Sequence, residues 1–263
     1  IYFRWKKLFY SICNFSKIMK MNKDFFIDNL KTIFYALIIA VLIRSFFLQP
    51  FYIPSSSMEP NLLIGDRLFV TKYSYGYSNH SFPFSPSIFK GRIFNSIPIR
   101  GDIIVFKTPS DNRTDYIKRL IGLPGDSVQF IDGDLYVNNN QILKSITSKN
   151  DQVSCGKKKM SVNIFEEKLP NGKKYTASYR KKMTYQNSDE FIVPLNHYFF
   201  LGDNRDCSKD SRFLTSVGYV HEDNLVGKAQ FIFFSSDYNI GYFIEFWKWH
   251  KSIKFDRFFK KIS

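Results

Sequence analysis

The heptapeptide Pro54-Ser55-Ser56-Ser57-Met58-Glu59-Pro60 stands at the junction of two kinds of sequence. Before it lies an apolar run. After it come short β-forming runs broken by Gly, Pro, Asp and Asn. The junction predicts one membrane-spanning helix followed by a β body.

On the N-terminal side, Ile33 to Ile43 reads IFYALIIAVLI, and the apolar character resumes at Phe46-Phe47-Leu48 after Arg44 and Ser45. Crossing a bilayer takes roughly twenty residues. Residues 30–48 suffice if Lys31 and Arg44 snorkel toward opposite faces. A buried core helix and a cleaved secretory signal are the alternatives. No small-x-small site follows the run, which continues Phe46-Phe47-Leu48-Gln49, so an uncleaved anchor is expected. Residues 1–32 carry seven Lys/Arg against two Asp. That flank predicts a cytoplasmic N-terminus (residues 1–29) and sends the rest of the chain across the membrane, leaving the body on the outer side. Residues 1–18, ahead of Met19 and Met21, are either upstream extension or a genuine tail.

On the C-terminal side, strands are expected at Arg67–Lys72, Asp102–Lys107, Tyr116–Ile121, Ser127–Ile131, Leu135–Val137, Glu190–Val193, His197–Leu201 and Val226–Phe234. Pro124-Gly125-Asp126 and Asp132-Gly133-Asp134 mark turns between them. No long amphipathic helix interrupts residues 65–234, so the fold class is mainly β: a transmembrane helix, then an all-β body with an inserted β subdomain. The body divides into a first part at 49–130, a peripheral inserted subdomain at 131–190 and a second part at 191–237. Within the first part, 74–96 reads as an aromatic hairpin or mobile loop. Residues 238–263 form a basic aromatic tail, read as an interfacial membrane helix.

The formal net charge of +15 favours acidic partners. Its clusters flank or follow aromatic sequence, which suits an anionic bilayer better than base readout, and no nucleic-acid-binding signature accompanies them. A lysine-rich composition throughout is the plainer explanation. Cys13, Cys155 and Cys207 form no CxxC pair and support neither a disulfide framework nor a metal site; a Cys155–Cys207 bridge is open if the body is exported.

A serine hydroxyl needs a base before it can attack a carbonyl. His80, His197, His221 and His250 stand in no triad order. Lys118, within Tyr116-Ile117-Lys118-Arg119-Leu120-Ile121, is expected on a largely buried strand, and burial lowers a lysine pKa toward neutrality. A serine–lysine hydrolase follows.

Four blocks in order carry a resemblance. They are Gln49–Pro60, Arg100-Gly101-Asp102-Ile103-Ile104-Val105-Phe106, Tyr116–Asp126, and Gly202-Asp203-Asn204-Arg205-Asp206-Cys207-Ser208-Lys209-Asp210-Ser211-Arg212. With the anchor, they resemble bacterial type I signal peptidases over roughly residues 33–130 and 191–237. The resemblance implies Ser57 as nucleophile, Lys118 as general base and an oxyanion site made by the Ser57 N–H and the Ser55 hydroxyl. It implies Ser208 as the residue orienting the lysine, and Asp210 with Arg212 as a supporting ion pair. Phe51, Ile53, Pro54, Met58, Leu62, Val105, Tyr116 and Ile117 would line pockets for small residues at the −1 and −3 positions of an extended substrate. Ser56 is expected to be a turn former, and Asp203, Arg205 and Asp206 to hold their loop.

The implied partners are signal-peptide-bearing preproteins, the lipid bilayer of the bacterial inner membrane and a nearby translocon, with no nucleic acid, cofactor or metal. Cys207 replaces the usual Asn of the last block, and Phe213–Gly218 replaces its aromatic-Gly continuation. A non-catalytic, membrane-anchored envelope binding module is the competing reading, and a soluble self-cleaving regulator is disfavoured by the anchor.

Overall fold

The apolar run ahead of the serine turn is a single helix, α1 (Phe25–Phe46), of 22 residues. At 1.5 Å per residue it is about 33 Å long, enough for a hydrocarbon core of about 30 Å. It begins five residues before the expected anchor and ends two before it, because Leu48 already belongs to a strand. The computed structural model describes residues 25–82, 85–86, 90–156, 158–180, 186–237, 240 and 246–262. The basic segment through Asp24, including Cys13, lies outside them. The chain divides into two units, Ile1–Arg44 and Ser45–Ser263.

The second unit is built from antiparallel strands. In chain order they are β1 (Leu48–Tyr52), β2 (Asp66–Thr71), β3 (Ile103–Lys107), β4 (Asp115–Gly122), β5 (Ser127–Ile131), β6 (Asp134–Val137) and β7 (Asn140–Gln141). There follow β8 (Leu143–Cys155), β9 (Lys158–Lys168), β10 (Lys174–Arg180), β11 (Phe191–Ile192), β12 (His197–Leu201), β13 (Val220–His221) and β14 (Leu225–Ser235). A seven-stranded sheet runs β1-β2-β14-β3-β4-β12-β13, a second runs β11-β5-β6-β7 and a third β10-β9-β8.

Central strands of the large sheet are buried on both faces and therefore read as unbroken apolar runs. Ile103, Ile104, Val105 and Phe106 of β3 are all buried, and Phe106 stacks on Phe200 of β12 with ring centroids 4.5 Å apart. Strand β4 is buried from Lys118 to Gly122, which carries a lysine and an arginine into the interior. After β4, Gly125 takes φ +88°, and the Asp126 carboxylate accepts the Leu123 N–H at 2.5 Å and pairs with Arg100 at 2.8 Å. This is the turn chemistry that Pro-Gly-Asp announces.

The stretch read as a peripheral insertion is less separate than its composition suggests. Leu135, Val137, Ile142, Leu169, Tyr175, Ala177 and Tyr179 share one core cluster with Val128, Phe199 and Leu201. Its polar reading has a physical cause: most of β8 and much of β9 lie exposed, so their apolar positions are sparse. Part of the 74–96 segment lies outside the described residues. The rest is pinned by Arg92, which donates to the carbonyls of Tyr75, Gly76, Glu222 and Leu225.

The described tail residues, 246–262, are short turns and a four-residue helix, α2 (Trp249–Ser252), where one interfacial helix was expected. Arg257 grips Asp66 through two nitrogens, at 2.9 and 2.6 Å, and Ile262 packs against the cluster of Ile53, Met58 and Leu68. A buried ion pair and a core contact outcompete the amphipathic pattern.

Candidate active site

β1 ends where Ile53 exchanges backbone hydrogen bonds with Asp66 and Gly65, and the chain then turns through the three serines. The turn is closed by Glu59 N–H to the Ser56 carbonyl at 3.1 Å and Leu62 N–H to the Met58 carbonyl at 2.9 Å. Asn204 fastens it from the other side: its backbone N–H donates to the Ser57 carbonyl at 3.1 Å and its side-chain amide to the Ser56 carbonyl at 3.1 Å. Ser56 is buried, and its carbonyl is a turn acceptor.

Lys118 sits opposite Ile104 in the β3–β4 register and is 3% exposed. Its Nζ lies 2.5 Å from Ser57 Oγ, 3.1 Å from the Ile117 carbonyl and 5.3 Å from the centre of the Tyr116 ring. Burial lowers its pKa from 10.5 to about 8, against the opposing pull of the Asp210 and Asp203 carboxylates. With a pKa of about 8, roughly a tenth of molecules hold this amine unprotonated at pH 7, far more than for an ordinary lysine. The exposed Ser55 hydroxyl is 3.4 Å from Ser57 Oγ.

The Gly202–Arg212 loop lies against this pair because Gly202 has no side chain. A Cβ there would stand 2.1 Å from Ser208 Oγ and 2.5 Å from the Ser57 carbonyl oxygen. Ser208 is buried beside it, but its hydroxyl is not hydrogen-bonded to Lys118, contrary to the orienting role expected of it. Lys118 Nζ donates instead to the Ile117 carbonyl and to Ser57 Oγ. Asp210 and Arg212 form a buried pair, Nε to Oδ1 at 2.8 Å. Burial pushes the Asp210 carboxyl up, but Arg212 and the Gly202 N–H more than offset it, so its pKa lies below the ordinary carboxylate value. Asp203 pairs with Arg119 and Arg205 with Glu167, whose carboxylate also accepts the Tyr175 and Tyr179 hydroxyls. Asp206 accepts the Arg180 N–H at 2.8 Å.

A cleft of about 770 Å³ opens onto the pair. Phe51, Ile53, Pro54, Val105, Tyr116 and Ile117 line it together with Ser55, Ser56, Ser57 and Lys118. Met58 and Leu62, expected among the pocket residues, are fully buried beneath it and pack with Ile53 and Val105. The turn after Ser57 aims both inward, so they shape the floor from below.

Several contributors escaped the sequence reading. Asn61 donates to Asp203 at 2.7 Å and to the Thr176 carbonyl at 2.7 Å, tying the serine turn to β10. Glu59 accepts the Ser154 N–H at 2.6 Å. The Cys155–Cys207 bridge, which the sequence left open, is formed, with Cα atoms 5.5 Å apart.

The family described as signal peptidase, peptidase S26, matches residues 26–234. A signal peptidase I of Rickettsia bellii is 44% identical over 250 residues, covering 88% of this chain and 84% of its own. A signal peptidase I of Rickettsia typhi is 42% identical over 247 residues, covering 87% and 90%. A crystal structure of a signal peptidase I from Enterococcus faecalis is 28% identical and covers 51% of this chain and 97% of its own, at a TM-score of 0.30.

Proposed function

The chain belongs to the peptidase S26 family of signal peptidases, and from that premise we propose that it removes signal peptides from exported preproteins with a Ser57–Lys118 dyad. The observation that carries the mechanism is the 2.5 Å approach of a buried amine to a serine hydroxyl inside an apolar cleft. Neutral Lys118 takes the Ser57 proton as Oγ attacks the scissile carbonyl. The resulting oxyanion is held by the Ser57 N–H and the Ser55 hydroxyl. The Lys118 ammonium then gives its proton to the leaving amine, which departs as the new N-terminus. Lys118, neutral again, activates a water that releases the acyl group from Ser57.

Specificity follows from the cleft walls. Phe51, Ile53, Val105, Tyr116 and Ile117 crowd the space beside the nucleophile and reject large side chains at −1 and −3. Strand β1 ends the sheet order, so an extended substrate can add main-chain hydrogen bonds along this region. Ser208 acts indirectly in this scheme, packing the loop against Gly202, and the Asp210–Arg212 pair fixes that loop.

Helix α1 anchors the enzyme in the inner membrane as a single pass. The basic flank keeps the N-terminus cytoplasmic and places the second unit on the outer side, where preproteins emerge from the translocon. Incubating the full chain in detergent with a preprotein, then sequencing the new N-terminus, tests the reading. A cut after a small-x-small site that is lost in Ser57→Ala supports it. Cleavage that survives Ser57→Ala overturns it.

A further inference from the structure

We propose that the Cys155–Cys207 disulfide is a latch that closes one wall of the substrate cleft, so that efficient cleavage requires the oxidised enzyme. The inference rests on the peptidase reading above and concerns how that site is regulated.

The two cysteines belong to different walls. Cys155 ends β8, at the tip of the β8–β9 hairpin, and Cys207 immediately precedes Ser208 in the loop packed on the nucleophile. Gly156, Cys207 and Lys209 line the same cleft as Ser57 and Lys118. The bond therefore joins the hairpin tip to the catalytic loop across 52 residues of sequence, at the edge of the space where substrate lies.

Away from the buried Val153, the tip is open to solvent. β8 pairs only with β9, and Lys149 to Gln152 are exposed. Beyond the disulfide, the hairpin end meets the site through Ser154, whose N–H donates to Glu59 and whose carbonyl accepts the Asn204 amide at 3.0 Å. Asn204 is also the residue that fastens the Ser56 and Ser57 carbonyls. A tip freed from Cys207 pulls on the group that positions the nucleophile turn. A loop freed from Cys155 keeps its Arg119–Asp203 and Arg205–Glu167 pairs but loses its tie at Cys207, next to Ser208. Two part-buried hydrogen bonds, each worth about 0.5–1.5 kcal/mol net, are a weaker tie than a covalent link.

The switch is chemically simple. Both cysteines are half-buried at the cleft, within reach of a small dithiol. One thiolate of the dithiol attacks a sulfur of the pair, and the second resolves the mixed disulfide. The Cys155–Cys207 bond breaks, each protein sulfur takes up a proton, and the reductant leaves as its own disulfide. Such a bond forms on the oxidising side of a membrane and stays open in a reducing cytoplasm. Cleavage competence would thus be acquired only once the second unit has been exported.

The test uses the full chain in detergent with a preprotein free of cysteine, before and after dithiothreitol treatment, alongside the Cys155→Ser/Cys207→Ser double variant. Reduction should lower kcat/KM by about tenfold to a hundredfold, the loss expected when catalytic groups are misplaced by about 1 Å. The loss should fall largely on kcat, leave the circular dichroism spectrum unchanged and reverse on reoxidation. The double variant should show the reduced level and ignore dithiothreitol. Because reduction acts on folded wild-type enzyme, the test stands even if the double variant folds poorly. Equal cleavage before and after reduction, or alkylation of both thiols in unreduced enzyme, overturns the latch and leaves the peptidase reading intact. Failure of the oxidised enzyme to cleave at all overturns both.

Discussion

Arg119 and Asp203 form a bidentate ion pair, Nε to Oδ1 at 2.8 Å and Nη2 to Oδ2 at 2.9 Å, with both side chains sealed from solvent. Arg119 follows Lys118 on β4, and Asp203 follows Gly202 on the loop packed against Ser57. The pair therefore fixes the strand that carries Lys118 to the loop packed against Ser57.

Removing one partner leaves the other charge buried and uncompensated, at a cost of about 3–5 kcal/mol. Asp203→Ala should lower the urea midpoint of the full chain in detergent accordingly. The joint variant Arg119→Met/Asp203→Leu should recover a good part of that loss. A single variant as stable as wild type would contradict the role given to the pair.

In the proposed scheme Ser55 supplies the side-chain donor to the oxyanion, and Ser55→Ala should then reduce kcat by about 10²–10³-fold with little change in KM. Steady-state cleavage of a preprotein measures the split. A loss confined to KM would make Ser55 a substrate contact.

Glu59 has its carboxyl pKa raised, burial outweighing the hydrogen bond from Ser154. Between its unfolded and folded pKa values the native state binds more protons, so this group's stability contribution is lost as pH rises through that window. Glu59→Gln, which keeps an acceptor for Ser154, should melt higher than wild type at pH 8 and equally at pH 4. A variant destabilised alike at both would contradict this.

Lys118 titrates in the opposite sense. Its pKa is lowered to about 8 by burial, so the unfolded state binds the extra proton between about 8 and 10.5, and stability rises with pH across that range. Below it the buried ammonium burdens the fold. Lys118→Met should abolish cleavage yet melt higher than wild type at pH 6, with the gain shrinking by pH 10. Destabilisation of the same size at both pH values would contradict the account.

Legibility in the sequence followed exposure. Ser127–Ile131 and His197–Leu201 were readable to the residue, and β2, β3, β4 and β14 to within one residue at each end, because buried strands leave unbroken apolar runs. Strands β8 and β9 were not. Most of β8 is in water and much of β9 is only half-buried, so little selects an alternating pattern, and lysine and serine serve as well as valine. The same limit hid the contribution of residues 131–190 to the core, which comes from scattered positions such as Leu135, Leu169 and Ala177. At the site, a nucleophile and a buried lysine carry chemistry in their residue types. Asn61, Glu59 and Asn204 act through geometry that only the fold supplies. Met58 and Leu62 pack beneath the cleft rather than along its surface, because a sequence gives the size of a side chain but not the direction in which a turn aims it. Arg257 reads as one more cation in a basic tail, and only the position of Asp66 reveals its task.

The pH dependence of kcat/KM for preprotein cleavage tests the central claim most directly, since it reports the ionisation of the free enzyme. The rate should rise tenfold per pH unit below an apparent pKa near 8, level off above it, and vanish in Lys118→Arg, whose guanidinium cannot give up its proton. A profile flat from pH 5 to pH 9, or appreciable cleavage by Lys118→Arg, would contradict it.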